Sequence, residues 1–164
     1  MHVVRLDQVD AKALSMVLEK LGIAFASVPG GEQIPGSYWG DAEAGMIADT
    51  LYARPDTPLH SIAHEACHML CMDSERRREL HTDAHGDDLE ECAVCYLQIL
   101  IADALPGMQR QRMFTDMDAW GYSFRCGSAQ SWFEQDAEDA IAWLTRTGIE
   151  RHVLDKLRIS ECSL

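Results

Sequence analysis

Thr57-Pro58-Leu59-His60-Ser61-Ile62-Ala63-His64-Glu65-Ala66-Cys67-His68-Met69-Leu70 is the stretch on which the fold turns. Nothing after Pro58 breaks a helix here, and no further Pro or Gly comes before Gly86. Asp56 or Thr57 is placed to cap the helix, and Pro58 suits its first turn, where a missing N–H does no harm. The pattern predicts a helix running to about Met72. His64 and His68, four residues apart, stand one above the other on a single face. Two imidazoles so placed can close on one divalent cation, the clamp that Zn²⁺ accepts. Glu65 is turned roughly 100° around the helix from His64. Its carboxylate can reach water beside the ion without occupying the ion, which suits a general base in metal-assisted hydrolysis. The plainer alternative is a core helix with two hydrogen-bonded histidines.

His64-Glu65-Ala66-Cys67-His68 fits H-E-x-x-H at its three defining positions and resembles the zincin metallopeptidases. The metzincin continuation is absent, since Cys71 stands where a Gly is expected and Ser74 lies six residues after His68. Downstream, Asp87 to Tyr96 resembles the second helix of gluzincins, where a Glu opens an E-x-x-A-D-like pattern and completes a His₂Glu site. That makes Glu90 the matching ligand, 90 − 68 = 22 residues after the second histidine. Val94 departs from the pattern, because many gluzincins carry there an acid or amide that supports a ligand histidine. Glu91, Asp83, Asp87, Asp88 and His85 compete with Glu90, and an Asp ligand would make the site aspzincin-like.

The resemblance covers about residues 44 to 105. It implies an α+β fold: a small zincin-like domain whose short mixed sheet packs on a helix core with the active-site helix and a second, Glu-bearing helix. It implies a zinc-dependent metallohydrolase, a metallopeptidase that cleaves peptide or protein amide bonds, with Zn²⁺ on His64, His68 and Glu90 and with Glu65 as general base. A strand around Ala48 to Tyr52 would rim the cleft and pair with extended substrate. Tyr52, Tyr96, Tyr122 and His152 are candidate donors to the oxyanion. The rival reading is a catalytically inactive metal-binding or regulatory domain of the same fold.

The residues give an independent reason to favour Glu90. Cys92 to Ala102 is apolar almost all round, as in a buried helix. Glu90 shares a face with Ala93, Val94, Leu97 and Ile101, at the border of the core, while Glu91 is turned away by roughly 100°. A carboxylate there needs a partner, because unpaired burial is costly. Otherwise either acid is simply a first-turn Glu favoured by the helix dipole.

The 164 residues, 47% apolar and 25% charged, suit one globular domain spanning 1–164. A net charge of −13 argues against nucleic acid and anionic membranes as partners, and leaves small molecules, peptides or basic proteins. Met1 to Asp7 lacks the basic start and apolar run of a signal peptide, and no segment is apolar for long enough to span a bilayer. The expected location is cytoplasmic. Six cysteines there are expected to be free thiols. Cys92 and Cys95 form C-x-x-C, and Cys67 and Cys71 lie one turn apart. A second metal site or redox pair is conceivable, but Cys92 and Cys95 face what should be core. Cys126 and Cys162 carry no signal, and the pattern sets no oligomeric state.

Elsewhere, Asp10 to Leu21 reads as an amphipathic helix and Ile23 to Val28 as a strand. Tyr38, Trp39 and Gly40 fall in an irregular stretch, and Met46 to Arg54 reads as one strand. Asp73 to Glu91 reads as a charged connector, with His60, His81 and His85 as surface or supporting residues. Met108 to Trp120 reads as a helix with Met113, Met117 and Trp120 facing the core. Ser131 and Glu134 form a capping box for one helix ending at Gly148. Ile149 to Ile159 reads as a last helix before a frayed tail.

Overall fold

Residues 2–38 and 40–158 are described by the computed structural model of the chain. Trp39, Cys162 and the tail from Ile159 lie outside them. Asp10 caps the first helix, α1 (Ala11–Lys20), by accepting the N–H groups of Lys12 and Ala13. Leu14 and Leu18 are buried on its inner face. Three short strands follow: β1 (Ala24–Ser27), β2 (Gly45–Ile47) and β3 (Thr50–Ala53). They form one mixed sheet of order β1-β3-β2, with β1 parallel and β2 antiparallel to β3.

The single strand expected over Met46 to Arg54 is therefore a hairpin, turning at Ala48 with φ 49°. β3 is the central strand and has no open edge. The outward side of β2 is also covered, because Met46 N–H donates to Gly36 O and Met46 O accepts from Thr82 N–H. Neither Ala48 nor Tyr52 thus lies on a free edge, as the cleft-rim expectation required.

α2 (Leu59–Cys71) is the predicted active-site helix. Its N-cap is Pro58, with no side-chain cap. Asp56 is instead paired with Arg54 at 2.7 Å, and Thr57 Oγ1 accepts Arg54 N–H at 2.9 Å. Within the charged connector a short helix forms, α3 (Ser74–Glu79), capped by Asp73. Asp87 caps α4 (Asp88–Ile101) by accepting Glu90 N–H at 2.8 Å. α4 is the apolar helix: Val94, Leu97, Ile99 and Ile101 have no exposed surface. It packs between α2 on one side and α7 (Glu138–Thr147) on the other.

α5 (Arg110–Trp120) buries Met113 and Met117, but Trp120 is 40% exposed and faces the cleft rather than the core. The helix expected up to Gly148 is two. α6 (Ala129–Gln135) is capped by Ser128, whose Oγ accepts Ser131 N–H, so Ser131 is itself inside the helix. The chain breaks at Asp136, which leaves the helical path to form a two-point pair with Arg125, and α7 begins at Glu138. α8 (Ile149–Leu157) closes the described chain. The whole is α+β, with eight α-helices and one small mixed sheet among the described residues. No helix among them is long and apolar enough to cross a membrane. Cys67, Cys71, Cys92, Cys95 and Cys126 are free thiols.

Candidate metal centre

His64 and His68 project from one face of α2 with ring centroids 4.8 Å apart and ring planes at 82°. The carboxylate that meets them belongs to Glu91. Its Oε1 lies 3.0 Å from His64 Nε2 and its Oε2 lies 2.9 Å from His68 Nε2. Ligand atoms of these three residues all lie within 4.8 Å of one another, the arrangement needed to hold one ion.

Glu90, the ligand expected from the sequence, lies outside this group. It is 6% exposed, and Arg76 grips it at two points, Nη1 to Oε2 at 2.9 Å and Nη2 to Oε1 at 3.0 Å. The same guanidinium donates to Ala84 O at 2.6 Å, tying the 82–86 loop to the start of α4. Glu90 does face the core and does have a partner, but the partner is an arginine. Gly86 leaves room for it: a Cβ there would lie 2.8 Å from Glu90 Oε1.

The orientation of His64 is set from α4. His64 Nδ1 lies 2.9 Å from Gln98 Oε1. Gln98 is wholly buried, and its Nε2–H donates to His60 O at 3.0 Å, which fixes which end of the amide is the oxygen. His64 must then donate from Nδ1, and its Nε2 is left facing a carboxylate oxygen. A lone pair pointed at a carboxylate is repulsive unless a cation lies between them. Either a proton or a metal ion meets this demand, and two imidazoles with one carboxylate are a donor set that zinc accepts. Burial works against charge on His64, yet Tyr122, Cys95 and Glu91 outweigh it and raise its pKa well above the ordinary value. Burial likewise pushes Glu91 upward, but its bonds to His64 and His68 hold it far below the usual carboxylate range.

Gln98 was not singled out by sequence reasoning. Its signal was available: it is the one polar side chain in the Cys92–Ala102 run apart from the Tyr96 hydroxyl. It supplies, one turn beyond Val94, the support for His64 that Val94 lacks. Among the described residues His68 has no such support, and its Nδ1 is buried without a partner.

Glu65 follows His64 on α2 and lines the adjoining cleft of about 500 Å³. Burial raises its pKa, His64 and His68 pull it down, and Glu91 and Glu43 act with burial. Of the four proposed oxyanion donors, Tyr122 is the one that lines this cleft. α5 ends at Gly121, whose left-handed φ of 104° turns the chain so that Trp120 and Tyr122 both reach the cleft wall. The Tyr122 hydroxyl lies 3.2 Å from His60 Nδ1 and 3.5 Å from Gln98 Nε2, and burial pushes its pKa up to about 12, so it remains a donor. Tyr96 instead stacks on Phe133 at 4.5 Å, and His152 is exposed on α8.

The other candidates scatter. Asp87 is the α4 cap, Asp88 is exposed, and His81 is bonded to Thr82. Asp83 and His85 line the cleft but stand outside the three-residue group. His60 is buried against Trp120 at a ring distance of 5.0 Å. No protein-family model, no curated protein and no solved structure matches the chain.

Proposed function

We propose that His64, His68 and Glu91 hold a zinc ion and that the protein is a zincin-type, gluzincin-like metallohydrolase acting on peptide or protein amide bonds. The observation that carries this is the convergence of two imidazole Nε2 atoms and both oxygens of one carboxylate at 2.9–3.0 Å, beside a cleft lined by Glu65. The His₂Glu donor set expected from the sequence is kept, with Glu91 in place of Glu90. A zinc ion there supplies Lewis acidity, which acidifies water and polarises a carbonyl. Glu65 accepts the proton of the attacking water and returns it to the leaving amine. Tyr122 donates to the substrate oxygen as charge grows on it. Gln98 keeps the His64 ring in register through the cycle.

A second reading has its own support. The outer side of β2 is covered by Gly36 and Thr82, so an extended substrate finds no open strand edge there. That favours a metal-binding domain without peptidase activity. Two measurements decide. Purified protein loaded with zinc and dialysed should retain about one ion per chain, and a metal-free product would sink both readings. Glu65→Gln should keep the ion while cleavage of a mixed peptide library, followed by mass spectrometry, falls by about 100-fold or more. A wild type that binds zinc and cleaves nothing selects the second reading.

A further inference from the structure

The wall of the cleft carries a feature that water activation does not use. Glu43 lies in the loop before β2. Its place is fixed from α2, because the next residue's N–H, that of Ala44, donates to Ser61 Oγ at 3.0 Å. Its carboxylate is fixed from α5, because Trp120 Nε1–H donates to Oε1 at 3.0 Å. Glu43 and Trp120 both line the cleft, and among the described residues no Lys or Arg does, although Glu43, Glu65, Asp83 and Glu91 all line it. Glu65 and Glu91 answer the dication of the proposed centre, and Asp83 is folded back on the backbone N–H of His85 at 2.9 Å. Glu43 has no cationic partner among the described residues.

Beside it, Trp120 is 40% exposed and Tyr38, also on the cleft, is 56% exposed. A partly exposed indole that lines a cavity and whose N–H is anchored on a carboxylate is suited to a cation. The wall behind is consistent with this. His60 is 1% exposed and lies against Trp120, and its Nε2 is buried without a partner among the described residues. Burial holds this ring neutral, its pKa pushed down to about 3, so it adds no positive charge to the wall.

We infer that Glu43 and Trp120 form a recognition site for a cationic side chain, so that the chain selects peptides carrying Lys or Arg in the segment that fills the cleft. This rests on the peptide-hydrolase reading for its substrate class, but the site itself uses no metal. Carboxylate and indole face act together on the same charged head, and an isosteric apolar side chain receives neither.

The test uses full-length Glu65→Gln protein, zinc-loaded and chelator-stripped. The ligands are blocked, fluorophore-labelled Ala/Gly/Ser peptides with Lys moved through each position in turn, compared with norleucine and Glu at the same position. Fluorescence anisotropy should show the best Lys peptide binding about tenfold tighter than its norleucine twin in both protein forms. Adding Glu43→Gln should level that ratio, and adding Glu43→Lys should turn the preference towards the Glu peptide. Trp120→Phe, which keeps a ring but frees the carboxylate, should lower the ratio and guards against a Glu43 variant that misfolds. Equal binding of Lys and norleucine peptides, a ratio that survives Glu43→Gln, or no binding at millimolar peptide overturns the inference. A Lys preference that follows Glu43, in a chain whose wild type cleaves nothing, overturns the hydrolase reading and leaves the cation site standing.

Discussion

Glu90 and Glu91 are neighbours on one helix and do opposite work. Glu90 is buried and spends its charge on Arg76, whose guanidinium also holds Ala84 O in the cleft wall. Glu91 is about half exposed and faces two imidazoles on α2. One helical step separates a carboxylate that fixes structure from one that can hold an ion. Depth does not tell them apart in the expected direction, since the more buried acid is the structural one. What separates them is the element each faces: Glu90 looks towards α3 and the 82–86 loop, and Glu91 looks towards α2.

The largest expected effect breaks this comparison outright. Glu91→Ala removes one of three donors and should weaken zinc binding by more than about 100-fold, beyond the loss seen when only a supporting residue is removed. Competition with a chromophoric chelator measures it. Glu90→Gln, in the same assay, should leave zinc affinity within a few-fold of wild type. If the two variants trade places, Glu90 is the ligand after all, and the Glu91 geometry does not persist when metal binds.

Glu90→Gln should instead appear in stability. It leaves the Arg76 guanidinium without its counter-charge at a partly buried position, for a cost of about 2 kcal/mol, kept modest because Arg76 is 35% exposed. Urea unfolding of the metal-free protein reads this directly. Glu91→Ala should cost stability there too, because it removes the carboxylate that faces His64 and His68 and helps to raise the pKa of His64, so the zinc assay is what separates the two variants.

The sequence made much of this legible, for identifiable reasons. His64 and His68 share a face because helical spacing is rigid, and no Pro or Gly falls within α2 to interrupt it. The wheel also placed Glu90 correctly towards the core. The step from buried acid to metal ligand left out a second kind of partner, an arginine. Arg76 sits fourteen residues upstream on a helix that the charged connector hid, and only tertiary structure brings it to Glu90. The stripe that faces α2 is Glu91, Cys95 and Gln98, and its phase against α2 is set by packing that no local pattern encodes. The hairpin at Ala48 was missed because its turn places a non-glycine residue at positive φ, which leaves no Gly or Asn to announce it. Tyr122 was legible as one candidate of four and could not be chosen, since its position depends on where α5 ends relative to α2.

Gln98 sharpens the comparison by a smaller amount. Gln98→Met keeps the volume and removes the acceptor for His64 Nδ1–H. Zinc affinity should fall about tenfold, with α2 and α4 still packed. The same change should leave the Glu90–Arg76 pair intact. The unfolding cost of Glu90→Gln should therefore be the same with and without Gln98→Met, as expected of sites with no shared partner.

Gly86 gives the finest test, because it touches only one side of the comparison. Its φ is not in the left-handed region, so an alanine there is not strained by its backbone. What the new Cβ meets is Glu90, at 2.8 Å from Oε1 and 3.1 Å from Cδ. A free glutamate tip would swing aside at little cost, but this tip is held at two points by Arg76. Gly86→Ala should thus cost about 1 kcal/mol by prising the pair apart, although Gly→Ala at an unstrained position ordinarily stabilises. In a Glu90→Ala background the obstacle is gone, and the same substitution should become neutral or stabilising. The coupling between the two changes is therefore the quantity to measure, by urea unfolding of the four proteins. Additive costs would mean that Arg76 does not hold Glu90 in solution. The buried acid would then be free to reach for the ion, and the division of labour between the two glutamates would fail from the structural side.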